Sequence, residues 1–329
     1  MRDSSFRPAW WLPGPHLQTL WPNLIRGRRA SGLQRERLEL PDGDFLDLDW
    51  TPAHDGPLAI ILHGLEGSSR SHYARGIVQA LQQRGWRCVV VHFRGCSGVP
   101  NRLARGYHAG DTFDFDYVMK VLRARDSSRA LAAVGYSLGG NVLLKWLGEQ
   151  GINAPLLAAA AVSVPFDLRD AALRLNTGLS RFYQWVLLRS LRISMQRKDK
   201  IDAALLASLH SLRDFDEHVT ALLHGFKNAD DYYAKSSCRG FLHGIRVPTL
   251  IVHALDDPFM TPAALPTAAE LSPLVEMHLT AAGGHVGFVS GPYPWRARYF
   301  HEQRISDFFF QQLAASAAIN PQPPLTSVP

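Results

Sequence analysis

Five short apolar runs set the limits on what this chain can fold into: PLAIILHG, WRCVVVHF, ALAAVGYS, LLAAAAVSV and VPTLIVHAL. Each is continuous rather than alternating, as expected of a strand covered on both faces. Between them lie segments of helical spacing. SHYARGIVQALQQRG ends in glycine, DTFDFDYVMKVLRAR opens with acids and closes on Arg123 and Arg125, and LGGNVLLKWLGEQG again ends in glycine. Upstream, RERLEL and DFLDLDW flank PDG and predict a hairpin. VEMHLT and a final helix over RARYFHEQRISDFFFQQLAA close the series. Repeated strand–helix units with strands this apolar predict an α/β fold: eight strands in a mostly parallel sheet, flanked by helices.

One segment interrupts the alternation. From 168 to 244 only helical patterns occur, such as LSRFYQWVLLRSL and IDAALLASLHSL. An insertion of this size between two strands is expected to form a helical cap over the carboxyl edge of the sheet. The resulting division is an N-terminal arm (1–32), a first core portion (33–167), the cap (168–244), a second core portion (245–315) and a proline-rich disordered tail (316–329).

Composition excludes several function classes. The 329 residues are 46% hydrophobic and 19% charged, enough for a large core, and the net charge of +6 is scattered rather than gathered into a nucleic-acid-binding run. The three cysteines, Cys88, Cys96 and Cys238, are far apart and make no CxxC. That spacing argues against a disulfide framework and a zinc site and suits a reducing cytoplasm. No secretory h-region opens the chain, and no apolar stretch approaches the roughly 20 residues needed to span a bilayer.

The chemistry concentrates at three places. Gly135-Tyr136-Ser137-Leu138-Gly139 is a G-x-S-x-G set between a buried strand and a helix, the context of a nucleophile elbow. There a helix N-terminus faces the serine and favours a developing negative charge. His63-Gly64 directly follows a strand, which points to the Leu65 amide as one oxyanion donor, with that of Leu138 as the other. A serine needs a base, and the base needs an orienting carboxylate. Of 14 histidines, His285 in AAGGHVGF stands between the last strand and the last helix, on a loop that glycines leave free to reach Ser137. The acid then belongs to the preceding loop, LDDPF, where Asp257, three residues before an apolar residue that closes the loop and with a proline soon after, fits the orienting role. Asp256 is expected to cap the turn through backbone N–H groups, since two carboxylates on one imidazole would repel. No metal or organic cofactor is required. Cys96, without an elbow of its own, reads as a loop residue.

The stretches GPHLQTLWP, LHGLEGSSRSHY, HFRGCSGVPNR, YHAGDTFD, GYSLGGNVLLKWLGE, DDYYAKSSC, VPTLIVHALDDPFM and GGHVGF span nearly the whole chain. Together they resemble the YheT-like family of α/β-hydrolases, carboxylesterases related to the animal ABHD lipid hydrolases and to yeast ethyl-ester acyltransferase/esterases. The resemblance implies an α/β-hydrolase fold and a Ser-Asp-His triad, which falls here on Ser137, Asp257 and His285. It implies a small-molecule ester as substrate. The same triad could instead pass the acyl group to an alcohol, and a non-catalytic scaffold on this fold is the third reading. Two further segments bear on partners. The aromatic arm FRPAWWLPGPHLQTLWPNL is expected to pack against the domain and border the pocket; interfacial anchoring through Trp10, Trp11 and Trp21 is the alternative. The stretch 175–198 is expected to be a lid helix with Leu175, Leu179, Phe182 and Val186 facing the active site. Its arginines also suit weak contact with anionic lipid.

Overall fold

The computed structural model describes residues 6–26, 32–198 and 201–319. Helix α1 (Pro15–Ile25) precedes the hairpin of β1 (Gln34–Glu39) and β2 (Phe45–Trp50). Then come β3 (Leu58–Leu62), α2 (His72–Gln82), β4 (Arg87–Val91), α3 (Thr112–Arg125), β5 (Leu131–Tyr136), α4 (Leu138–Gln150) and β6 (Ala158–Val162). After β6 the chain is helical: α5 (Leu168–Leu175), α6 (Ser180–Gln196), α7 (Ala203–Ser208), α8 (Leu212–Phe215), α9 (Ala221–His224) and α10 (Ala229–Ser236). The sheet resumes with β7 (Thr249–Ala254) and β8 (Val275–Thr280). A two-residue pair, β9 (Val289–Ser290) with β10 (Arg298–Tyr299), leads into α11 (Phe300–Ile319).

The eight long strands form one sheet in the order β1-β2-β4-β3-β5-β6-β7-β8. Pairing is parallel from β4 to β8, and antiparallel only for β1 with β2 and β2 with β4. The continuous apolar runs are explained by two cores, one on each face. Leu58, Ile60 and Leu62 of β3 pack with α3 and α4, while Ala59 and Ile61 pack with α2 and α11. Each such Ile or Leu, fully buried, contributes about 1.5–3 kcal/mol.

Three expectations are corrected. The last helix begins at Phe300, not near Arg296, because Arg298 and Tyr299 pair with Ser290 and Val289. It continues through Ile319, past residue 315; the proline-rich remainder, 320–329, lies outside the described residues, as do 27–31 of the arm. The 175–198 stretch is not one helix. α5 stops at Leu175, and a turn with Gly178 at φ 52° resets the phase before α6. Leu179 therefore faces solvent, while Leu175, Phe182 and Val186 do line the cavity described below.

Strand β2 alternates acids with apolar residues, yet every one of its residues is buried. Its carboxylates are matched instead of solvated. Arg35 and Arg37 of β1 grip Asp49 and Asp47 bidentately, and His92 and Ser69 add bonds to Asp49. The next loop repeats the device with Arg94, which is fully buried. It donates to both Asp114 oxygens (2.6 and 2.7 Å), to Asp44 (3.0 Å) and to Asp42 (2.8 Å). These carboxylates push the guanidinium further above its usual range even against burial. Removing one partner of such a set strands the others in low dielectric. Arg94→Met should therefore lower unfolding stability by about 3–5 kcal/mol, read as a drop in the urea midpoint at unchanged slope.

Candidate active site

Ser137 sits between the end of β5 and the start of α4 with φ 51° and ψ −118°. A backbone so placed for a non-glycine residue costs about 1–3 kcal/mol and persists only when its surroundings dictate it. The flanking glycines show how. A Cβ on Gly135 would run into Gly139 O and Gly140 Cα, and one on Gly139 into the carbonyls of Leu62 and His63. Two backbone bonds pin the serine, Ser137 N to Val162 O (2.9 Å) and Asn141 N to Ser137 O (3.0 Å). Its hydroxyl is left at the floor of a cavity.

His285 Nε2 lies 3.0 Å from Ser137 Oγ, and His285 Nδ1 lies 2.9 and 3.1 Å from the two Asp257 oxygens. Asp257 is buried and also accepts from Phe259 N (2.8 Å), while the Phe259 ring stacks flat on the imidazole at 3.8 Å. The structure brings together all three residues singled out in the sequence. Asp256 points elsewhere: its Oδ1 accepts from Gly284 N (2.9 Å), and burial pushes its carboxyl up. The expected cap thus holds the histidine loop rather than its own turn.

The oxyanion candidates flank the serine. Gly64 comes so close that a Cβ there would stand 3.3 Å from Ser137 Cβ. His63 braces this turn: its Nδ1 donates to Gly64 O (2.7 Å) and its Nε2 accepts from Phe93 N (3.1 Å). Burial holds that imidazole down at about 3, so it stays neutral and positions the loop. The neighbouring amides are occupied, Gly64 N on Tyr73 Oη (2.8 Å) and Glu66 N on Tyr107 Oη (2.7 Å). Among the described residues neither the Leu65 nor the Leu138 amide has a protein acceptor, and both residues border the cavity beside Ser137.

Sequence reasoning missed what orients the histidine loop. Helix α1 buries two polar residues, Gln18 and Thr19, while Leu17, Leu24 and Ile25 are exposed. Thr19 Oγ accepts from His285 N (2.9 Å) and donates to Pro15 O (2.7 Å). Gln18 brackets Val289, its Oε1 accepting from Val289 N (2.7 Å) and its Nε2 donating to Val289 O (3.1 Å). Ser163 Oγ accepts from Val286 N on the other side. The signal was a pair of polar residues in the apolar context of GPHLQTLWP. The arm does pack on the domain: Ala9 and Leu12 are buried with Val289, and Ala9 N donates to Val289 O (2.9 Å), while Trp10 is exposed.

The cavity holds ≈ 630 Å³. Its floor carries Ser137 and His285, and its walls come largely from apolar side chains of α5, α6 and α8, such as Leu168, Leu175, Leu191 and Leu212.

A serine on a strand-to-helix elbow at the carboxyl edge of a parallel sheet, with acid and histidine on the loops after the later strands, defines an α/β-hydrolase. Comparison agrees. The alpha/beta hydrolase fold family model matches residues 57–292. YheT of Escherichia coli (strain K12), provisionally named an esterase, is 43% identical over 96% of this chain and 96% of its own. Mouse phospholipase ABHD3 is 30% identical over 94% of this chain and 79% of its own. The chain belongs to the YheT-like family of α/β-hydrolases. Among solved structures, the Pyrococcus furiosus esterase Pf2001 superposes with a TM-score of 0.56 at 15% identity, covering 86% of this chain and 91% of that one. Est1E from Butyrivibrio proteoclasticus gives 0.55 at 14%, over 85% and 99%. At such identities these likenesses speak to the fold alone.

The two adjacent acids separate cleanly. Asp257→Asn reverses the hydrogen-bonding demand on Nδ1 and should lower kcat about 10³- to 10⁴-fold. Asp256→Asn keeps a carbonyl oxygen for Gly284 N and should cost less than about tenfold. Steady-state kinetics of the two variants, side by side, check the assignment.

Proposed function

We propose that the protein is a carboxylic ester hydrolase working through Ser137, His285 and Asp257. The observation that carries this is the unbroken hydrogen-bonded chain from Asp257 through the imidazole to the Ser137 hydroxyl. Ser137 Oγ attacks the acyl carbon as its proton passes to His285 Nε2. Asp257 holds the Nδ1 proton, so the ring presents its lone pair to the serine and is stabilised once charged. The Leu65 and Leu138 amides receive the oxyanion as donors already in place before the charge develops. Collapse expels the alcohol, which takes the proton from Nε2. Water, deprotonated by the same nitrogen, then releases the acid from the acyl-enzyme.

The helical segment 168–244 acts as the cap. It has a core of its own, including Tyr183, Leu188, Leu206 and Phe215, that packs on Leu20, Leu65 and Phe259 beside the site. An apolar cavity of this size suits a short- to medium-chain acyl group or a lipid-like ester. Relatives named for lipid substrates, the mouse phospholipase and a Saccharomyces cerevisiae monoacylglycerol lipase (34% identical over 70% of this chain and 55% of its own), support the lipid-like choice.

The cavity mouth favours a surface-borne substrate. Leu24 of α1 and Phe182 and Val186 of α6 line the cavity and are also exposed, with Trp185 and Ile193 exposed further along α6. Exposed Arg181, Arg189 and Arg197 lie among them, and α6 contains no acid. Apolar rings beside guanidinium groups match the interface of an anionic bilayer. Among the described residues no helix is long and apolar enough to cross one.

Two outcomes are expected. Across p-nitrophenyl esters from C2 to C16, Ser137→Ala should lose at least about 10³-fold in kcat on every ester that the wild type cleaves. Wild-type turnover in that variant would end the proposal. In co-sedimentation, the protein should bind phosphatidylglycerol vesicles better than phosphatidylcholine ones, with the difference fading as salt rises. Trp185→Glu should weaken that binding, and equal binding to both lipids would remove the surface reading.

A further inference from the structure

His108 and His224 line the wall of the same cavity apart from the triad, and with the buried Asp111 beside them they make a cluster that the ester chemistry does not use. His108 and Asp111 share the turn that leads into α3, and His224 ends α9. One ligand atom from each lies within 4.8 Å of the others. The turn is rigidly built. Asn141, one helical turn beyond Ser137, donates to Ala109 O (2.8 Å), Tyr232 Oη accepts from Ala109 N (3.1 Å), and Asp111 N donates to His108 O (3.1 Å). The His108 ring is walled by His224, Phe226 and Tyr232, with ring centroids at 4.6, 5.2 and 5.7 Å.

The second observation is the carboxylate itself. Asp111 is 94% buried by its 6% exposure, and among the described residues its Oδ2 has no hydrogen-bond partner. A buried polar atom left so is rare and calls for a partner. The nearby guanidinium groups are engaged elsewhere: Arg94 by Asp114, Asp44 and Asp42, Arg105 by Asp42 (3.1 Å) and Asp114 (3.8 Å).

We propose that His108, Asp111 and His224 form a binding site for one divalent transition cation, zinc by preference, with an open coordination position facing the cavity. Two imidazoles and a carboxylate are a three-ligand set of the kind that leaves a fourth position to water or substrate. Ligands at about 2.0–2.1 Å on a tetrahedral ion stand about 3.4 Å apart, so the cluster must draw in slightly. His224 precedes Gly225, which is at φ 74° and ends the helix, so the adjustment falls at a chain turn beside a partly exposed ring. Use of either His108 nitrogen requires giving up at most the contact of Gly110 N with Nδ1 (3.1 Å). The sequence argument against zinc concerned cysteine spacing, and this set uses no cysteine.

The test is independent of ester turnover. Full-length protein stripped with EDTA is titrated with Zn²⁺ by calorimetry and with Co²⁺ by visible absorption, beside His224→Ala, Asp111→Asn and Ser137→Ala. The wild type and Ser137→Ala should each bind one ion per chain with the same affinity. His224→Ala and Asp111→Asn should bind at least about tenfold more weakly, since losing even an outer partner of a ligand costs about 10–100-fold. Asp111 is buried, so circular dichroism checks whether its variant is folded, and partly exposed His224 decides the matter if it is not. Failure of the wild type to bind one ion saturably would overturn the proposal, as would unchanged affinity in folded His224→Ala.

Discussion

The 3.0 Å contact between Ser137 Oγ and His285 Nε2 is the interaction on which the site depends, and neither end holds itself in place. Among the described residues, five non-glycine residues have positive φ: Glu66, Ser137, Ser163, Val286 and Phe288. All five lie in the segments that build this site. Ser137 is the nucleophile candidate, and Glu66 follows the Leu65 amide. Ser163 holds Val286, and Val286 and Phe288 flank the histidine loop. At about 1–3 kcal/mol each, this strain is tolerable only because a two-faced core fixes the strand ends from which the loops depart.

The loops are then held by polar side chains in unusual places. Helix α1 turns Gln18 and Thr19 inward against the histidine loop and leaves Leu17, Leu24 and Ile25 exposed. Gly284 and Gly287 have no room for a Cβ because Pro15, Gln18 and Thr19 crowd them. The N-terminal segment is therefore part of the positioning machinery. Its exposed apolar side joins α6 at the cavity mouth, which ties the orientation of the base to the surface where a lipid-like ester would arrive.

The sheet was legible because strands buried on both faces must be continuously apolar, and LAIIL, LAAVGY and AAAAV are. The elbow was legible because the glycines at 135 and 139 answer to backbone crowding that any chain making this turn must meet. Asp257 could be told from Asp256 because it stands three residues before an apolar residue, Met260, with prolines close behind, and two adjacent acids cannot share one imidazole. Other features depend on tertiary contacts that leave no local periodicity. The roles of Gln18 and Thr19 appear only when residues 271 and 266 positions away are brought alongside. The break at Gly178 shifted the lid phase and turned Leu179 outward, and a helical reading carried through the turn could not register it. Asp111 and His224 are far apart in sequence, and their meeting beside the cavity follows from how the segment after β6 folds back.

The central claim is that Ser137 is the residue the site makes nucleophilic. Labelling the folded protein with a fluorophosphonate probe, followed by peptide mass spectrometry, tests it most directly. The account predicts a single adduct on Ser137 that forms far more slowly once Asp257 is replaced by Asn. An adduct on another serine, or no adduct on folded protein, would contradict it.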